Sequence, residues 1–558
     1  KNMAATEFIY PSPGIESKPN RFIAAIDSEK PDDCGKAAEN AVREKFSHIA
    51  DAVFQKKFRN TSKPADYDDQ IEKFLQINWL ILPYQPDNYG EVYEKLERLL
   101  GAIKNVRAFD QFAETGRKCS IDGERNVKVY RRAVNEKNNK PDLLFKKKLF
   151  TDDLIAVDYG DTAYLKPKDL HPGEGLSAVS FTKRCFSSVK PEYSDEKGFP
   201  STAEIALMNM LHKLEQSGTG KECLDKYRSL YKSHHFDAQF YYSENLTPDY
   251  FKKNGLAGLI PHLREILKMC RTIELAAEKE RLKLKKYYAI VIFDGDSMGE
   301  WLSGGKLAEQ TRLRAFHESL SRCLGKFAKQ AKDCLTPPKG KAVYAGGDDF
   351  LGFVSLDSLF DVLSELRKEF DNQVSIPVSK EFALKKGNER LTFSAGIAVA
   401  HYKTPLSAAL NWAWKMKKQA KEMDDRKDAF AIAVLKRSGE TDKTVYKWEK
   451  GTWLSVFDSM LEQFRNDHFS SKFIYNMDRE FRRMTDPDGK LSICPDMVTA
   501  EIKRLTGRAC KMKTDDKESM IKEMTENTNT LYLKSPRSFE NFLSALNIID
   551  FLERKATK

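Results

Sequence analysis

Hydrophobic and polar positions change period several times along this chain, and the sharpest change lies just past its middle. Residues 287–293 (YYAIVIF) form an unbroken run of β-formers that stops at Asp294-Gly295-Asp296, which predicts a buried strand closed by a turn. Val343-Tyr344-Ala345 and Phe350-Leu351 flank Gly346-Gly347-Asp348-Asp349. Two short strands about a glycine turn read as a hairpin whose tip carries adjacent carboxylates. Residues 391–400 (LTFSAGIAVA) predict a further buried strand, and 406–422 (LSAALNWAWKMKKQAKE) a helix. Nearer the start, a strand ending at Tyr10 precedes a Pro-Ser-Pro break, a strand over 22–26 and helices over 37–58 and 71–79. The stretch 115–280 reads as mixed and mostly helical, with a loop-rich portion between 135 and 172, and 441–558 reads as polar and helical.

Length and composition set outer limits on this pattern. A chain of 558 residues, 41% hydrophobic, is too long for one core and predicts three or four domains. No stretch approaches 18 consecutive apolar residues, and the opening KNMAATE lacks the apolar core and cleavage pattern of a signal peptide, so no membrane partner and a cytoplasmic location are expected. The nine cysteines are scattered with no Cys-x-x-Cys pair, which argues against a disulfide framework. The net charge of +11 suits a polyanionic partner. Basic tracts stand at 146–148, 281–286, 415–421 and 479–483, each of which in isolation reads as a solvated helix face.

The acidic clusters carry the chemistry. Side chains alternate across a strand, so Asp294 and Asp296 share a face only while the strand stays regular, and Gly295 lets the backbone re-aim either one. If this strand pairs with the hairpin, carboxylates from both meet at one edge, where like charges about 4 Å apart repel by roughly 4 kcal/mol at an effective dielectric near 20. A hard divalent cation such as Mg2+ or Mn2+ relieves that repulsion and is usually shared with substrate phosphates, for which Gly346 and Gly347 leave room. The matching reaction class is in-line attack on phosphorus.

Strand, hairpin, strand and helix arrive in the order of a palm, and residues 287–439 resemble the palm domain of the GGDEF and adenylyl-cyclase superfamily. The Gly-Gly-Asp-Asp variant is that of the large subunit of type III CRISPR effector complexes, type III-B (Cmr) form. KPNRFIA at 18–24, GEGLSAV at 173–179, FPSTAEIA at 199–206 and VLKRSG at 434–439 extend the resemblance from residue 18 to about 440. It implies an α+β fold: two ferredoxin-like palms, a mixed, mostly helical middle domain and a C-terminal helical bundle. The expected divisions are a degenerate, N-terminally incomplete first palm over 1–114, a middle domain over 115–280, the catalytic palm over 281–440 and the bundle over 441–558. The family's opening strand and helix are expected before residue 6, so the chain reads as cut at its start.

The resemblance also implies roles. Asp294, Asp348 and Asp349 are the expected catalytic residues; Asp294, the Gly295 carbonyl, Asp348 and Asp349 are the expected ligands of two metal ions. Asp296, Ser297, Met298, Gly299, Gly346, Gly347 and Lys421 are expected to bind the nucleotide, the segment after the first strand through free N–H groups. The implied reaction joins ATP units into cyclic oligoadenylate, or joins ATP to S-adenosylmethionine (SAM-AMP), when the complex binds target RNA. Ring size and the choice of product are not legible in the residues, nor are the activating geometry and the RNA-contacting residues. Implied partners are the other Cmr subunits, guide RNA and target RNA. The family's zinc knuckle falls at Cys119, with Asp122 where a second cysteine belongs, a poor zinc donor set, so zinc is not expected. No histidine is followed by aspartate; His234-His235-Phe236-Asp237 comes nearest, so the family's His-Asp nuclease is not expected in this sequence. The alternative is a noncatalytic RNA-binding scaffold whose palm survives as a fold. A cyclic dinucleotide synthase, which needs Glu-Phe after Gly-Gly-Asp, finds no support.

Overall fold

A computed structural model of the chain describes residues 6–12, 14–15, 20–59, 61–106, 116–132, 154–157, 165, 169–171, 173–190, 199–231, 236–253, 256–386, 390–448, 452–470, 472–486, 493–513, 516–535 and 539–557. Lys18-Pro19, the 146–148 tract and His234-His235 lie outside these. Short strands β1 (Thr6–Tyr10) and β2 (Ile23–Ile26) open the chain. The residues group into two compact units, one of 1–7 with 24–198 and one of 8–23 with 199–558.

The first unit is built around a long helix, Pro31–Lys57, which starts with proline at its first turn, where a missing N–H costs nothing. Its buried face, Ala50, Val53 and Phe54, packs with Tyr67, Phe181 and Val129. A small sheet of β3 (Val129–Arg131), β4 (Ile155–Val157) and β5 (Gly175–Leu176) lies in the order β4-β3-β5. The helix expected over 71–79 runs instead from Tyr67 to Glu72. Residues beyond it leave the helix to dock Trp79 on the long helix, where its ring fills the space a Cβ on Gly35 would need and its indole N–H donates to Glu39 at 3.1 Å. In the Cys119–Asp122 turn, Cys119 is buried and Asp122 accepts from the hydroxyls of Ser177 (2.7 Å) and Ser180 (3.0 Å). Burial pushes the Asp122 pKa up, but Ser177, the N–H groups of residues 124 and 125, and Ser180 outweigh it and hold the pKa near 2. A hydrogen-bonded carboxylate thus ties together the turn where the resemblance puts a knuckle.

The second unit carries a six-stranded mixed sheet: β6 (Tyr287–Gly295), β7 (Gly340–Gly346), β8 (Asp349–Ser355), β9 (Phe393–His401), β10 (Ala429–Leu435) and β11 (Thr441–Lys447), ordered β11-β10-β9-β6-β8-β7. Central β6 is antiparallel to both β8 and β9, and β10 is parallel to β9. Tyr288, Ile290 and Ile292 pack with Ile205 and Ala206 of the Thr202–Gln216 helix and with Ala409 and Ala413 of the Leu406–Lys421 helix. The opposite face is aromatic: Phe293 stacks on Phe350 at 4.8 Å and meets Phe393 and Phe327. Gly396 lets the Leu406–Lys421 helix touch the sheet, because a Cβ there would lie 2.1 Å from the Lys417 nitrogen and 2.2 Å from the Ala413 oxygen. The strand 441–447 is a correction to the helical reading of the segment after 440. Asn541, in the Phe539–Asp550 helix, ties it down by accepting from the Val445 N–H at 2.9 Å and donating to the Val445 oxygen at 3.2 Å. Near the chain start, the Ser12 N–H donates to Ser321 Oγ at 2.6 Å, and Ile15 fills a notch at Gly325 of the Leu313–Cys334 helix, 2.1 Å from where a Cβ would be.

Candidate functional site

The site follows from strand register. Phe293 pairs with Phe350 and Ile292 with Leu351, so in this antiparallel pair the next positions set Asp294 across from Asp349 and Gly295 across from Asp348. The Gly295 N–H donates to the Asp348 carbonyl at 3.2 Å. A Cβ on Gly295 would stand 2.9 Å from the Asp348 Cβ and 2.7 Å from Met298 Cγ, so only glycine admits the hairpin tip here. Gly347 turns the hairpin with φ +65°, and Gly346 lies under the Tyr344 ring.

Asp294 shares the parity of Tyr288, Ile290 and Ile292 and so faces the Leu406–Lys421 helix. From that helix Lys421 Nζ reaches the Asp294 carboxylate and donates to the Gly295 carbonyl at 2.9 Å, and Lys417 Nζ lies 3.5 Å from Asp294. Burial raises the Asp294 pKa, but a hydrogen bond with Asp349 and the charges of Lys421 and Lys417 more than offset it, leaving the group below the usual carboxylate range. Asp349 is exposed at the turn as a residue, yet its carboxyl group packs inward on Asp294: burial, then that hydrogen bond and the charges of Asp294 and Asp348, push its pKa up to about 7. Asp348 is raised by burial and then by the Asp294 charge. Asp349 is thus the carboxyl of the pair that takes up a proton as pH falls toward neutrality, beside an Asp294 that stays ionised.

Among the described residues no three His, Cys, Asp or Glu side chains converge as a metal-holding group. The carboxylates meet as a pair, and the Lys421 ammonium sits where the Asp294 carboxylate and the Gly295 carbonyl converge. Those oxygens already gather about a positive charge, and hard oxygen donors arranged so are a donor set that fits Mg2+ or Mn2+.

Asp296 does not face this cluster. It is 4% exposed, and one carboxylate oxygen accepts from Thr392 Oγ1 at 2.8 Å and the Asp428 N–H at 3.1 Å. Burial raises its pKa against those hydrogen bonds and the Ser394 hydroxyl. Ser297, with φ 53°, caps a short helix, Met298–Leu302, and its hydroxyl accepts from Lys427 Nζ at 2.9 Å. Lys417 and Lys427 are the cations that sequence reasoning passed over. The spacing of Lys417 four residues before Lys421 was a usable signal, since it puts both on one helical face; for Lys427 no local signal exists.

Residues 287–431 match the Cas10/Cmr2 second palm domain. The chain is 28% identical over 308 residues to the CRISPR system Cmr subunit Cmr2 of Pyrococcus furiosus, covering 50% of this chain and 34% of that protein. It is 28% identical over 120 residues to the Cmr2 of Saccharolobus solfataricus, covering 20% and 11%. The chain thus spans about a third or less of the curated Cmr2 relatives it matches. In fold it is similar to a chain of the apo type III-B Cmr-β cryo-EM structure, with a TM-score of 0.59 at 14% identity, covering 97% of this chain and 70% of that one. Palm register, Gly-Gly-Asp-Asp hairpin and sequence likeness converge: the chain is a homologue of the Cmr2 subunits of CRISPR systems, with a Cas10/Cmr2 second palm over residues 287–431.

Proposed function

We propose that this chain is a nucleotidyltransferase subunit of a type III CRISPR effector, activated by target RNA, that converts ATP into a second messenger. The observation that carries this reading is the Asp294–Asp349 pair, one partner pushed up to about 7, lying under Lys417 and Lys421 at the open end of a palm sheet. Mg2+ or Mn2+ held by Asp294, the Gly295 carbonyl, Asp348 and Asp349 would lower the pKa of an attacking ribose hydroxyl and neutralise charge on departing pyrophosphate. The protein's own part is positional. With Asp294 engaged, the ammonium groups of Lys421 and Lys417 are released toward triphosphate oxygens, and Gly346 and Gly347 let the phosphates approach the backbone.

The product is cyclic oligoadenylate or a SAM-AMP conjugate, and the partners are small Cmr subunits, guide RNA and target RNA. The test is mass spectrometry of nucleotide products from the assembled complex with target RNA and ATP, with and without S-adenosylmethionine. A conjugate only in its presence selects the second product, and failure to consume ATP in either arm sinks both. One observation favours a scaffold instead: Lys421 is ion-paired with Asp294, which occupies that carboxylate. Replacing Asp348 and Asp349 by alanine separates the readings, since a scaffold loses nothing.

A further inference from the structure

Two consecutive residues of the palm, neither of them glycine, hold the left-handed backbone conformation: Lys427 with φ 54° and Asp428 with φ 46°. A Cβ makes that conformation costly, so two in succession persist only where the surroundings impose them. Here four contacts do. The Asp428 N–H donates to buried Asp296 at 3.1 Å, the Trp448 N–H donates to the Asp428 carbonyl at 3.0 Å, and Lys447 Nζ donates to the Lys427 carbonyl. The Asp428 carboxylate is anchored by Arg367, itself 4% exposed, at 2.7 Å.

The strained turn delivers one side chain. Lys427 Nζ donates to Ser297 Oγ at 2.9 Å, three residues beyond Asp294, and Ser297 is itself left-handed. The side chain is half-buried, and among the described residues its ammonium has a neutral hydroxyl as partner and no carboxylate within ion-pair distance, while neighbouring Lys447 takes Asp424. With a hydroxyl as its hydrogen-bond partner and the Glu300 carboxylate acting on it only at longer range, this ammonium keeps donors that an anion completes. Outliers of this kind gather where a ligand is gripped.

We infer that Lys427 is a substrate-binding residue: the turn 427–428 presents its ammonium, beside the Ser297 hydroxyl, to a phosphate of a nucleoside triphosphate bound over Asp294, and Asp296 is the positioning residue that holds the turn. The inference rests on the nucleotide reading above and assigns to Lys427 and Asp296 roles that reading does not require. A structural role for Lys427 predicts the opposite pattern, since a hydrogen bond to Ser297 matters little to ATP.

The test measures binding of a non-hydrolysable ATP analogue with Mg2+ to the full chain, together with thermal unfolding, for wild type, Lys427→Gln, Lys427→Arg and Lys427→Gly. Losing a charge-assisted phosphate contact weakens binding about tenfold or more in the glutamine variant, and arginine keeps most of it. Glycine, at ease with positive φ, raises the Tm while binding falls as for glutamine. Opposite movement of stability and affinity in one variant is the signature of a strained binding residue. Wild-type affinity in the glutamine and glycine variants, with wild type binding the analogue, overturns the inference and spares the nucleotide reading. If wild type itself binds no analogue, the nucleotide reading falls and this inference with it.

Discussion

At the scale of single residues, the acidic pair governs what the site does with and without a cation. Replacing Asp348 and Asp349 together by alanine is expected to lower nucleotide product formation by ~10²-fold or more with assembly intact, measured by pyrophosphate release. Asp349 gives a second expectation. Its pKa of about 7 lies above the 3.8 of an unperturbed aspartate, so the folded chain holds that proton more tightly than the unfolded one. Its contribution is fully present below about 4 and is lost as pH rises to about 7. In metal-free buffer the Tm advantage of Asp349→Asn over wild type should therefore widen between those pH values and level off above, and Mg2+ should shrink it. A constant difference across that range would contradict the Asp294–Asp349 pairing. That Asp348 and Asp349 stand together was legible in the sequence because adjacency in a glycine turn fixes it locally, whereas the meeting of Asp349 with Asp294 depends on the pairing of β6 with β8. The inward turn of Asp296 was not, since Gly295 ends the strand there and the partners Thr392 and Asp428 come from 96 and 132 residues further along.

At the scale of elements, β6, β9 and the Leu406–Lys421 helix could be read within a residue or two because their patterns are uniform: β6 is buried from Tyr287 to Phe293, and β9 is buried throughout, whereas β7 and β8 extend several residues beyond the short strands read about the glycine turn. β11 escaped because Thr441-Asp442-Lys443-Thr444-Val445-Tyr446-Lys447 is a polar edge strand whose buried residues are covered by helices of the C-terminal segment. Tertiary partners decided it, not local propensity. What no pattern announces is Gly396, which sets how deeply the lysine-bearing helix seats. Gly396→Ala should push that helix off β9, at a cost of about 1–3 kcal/mol in chemical denaturation. It should also impair product formation more than its stability loss explains, because Lys417 and Lys421 retreat from Asp294. Normal turnover in a folded Gly396→Ala protein would show that helix depth is immaterial.

At the scale of the whole molecule, charge and chain order are what remain. No described helix is long and apolar enough to cross a membrane, and the surplus of eleven positive charges suits an RNA partner. RNA affinity of the assembled complex should fall steeply between 50 and 200 mM salt, about 10³-fold or more if six or more phosphates are held; a flat salt profile would place recognition elsewhere. The division into two compact units was not legible, since the chain enters the second at residue 8, leaves it at 23 and returns at 199. That interleaving carries a consequence in time. Ser12 and Ile15 find their seats on a helix whose acceptor, Ser321, is made 309 residues later. At ribosomal rates of about 5–20 residues per second that is a wait of roughly 15–60 s. Through it the opening segment has no partner on the Leu313–Cys334 helix, so the palm with the acidic pair is a late product of synthesis, and a nascent chain stalled before residue 313 would hold the opening segment without its seat.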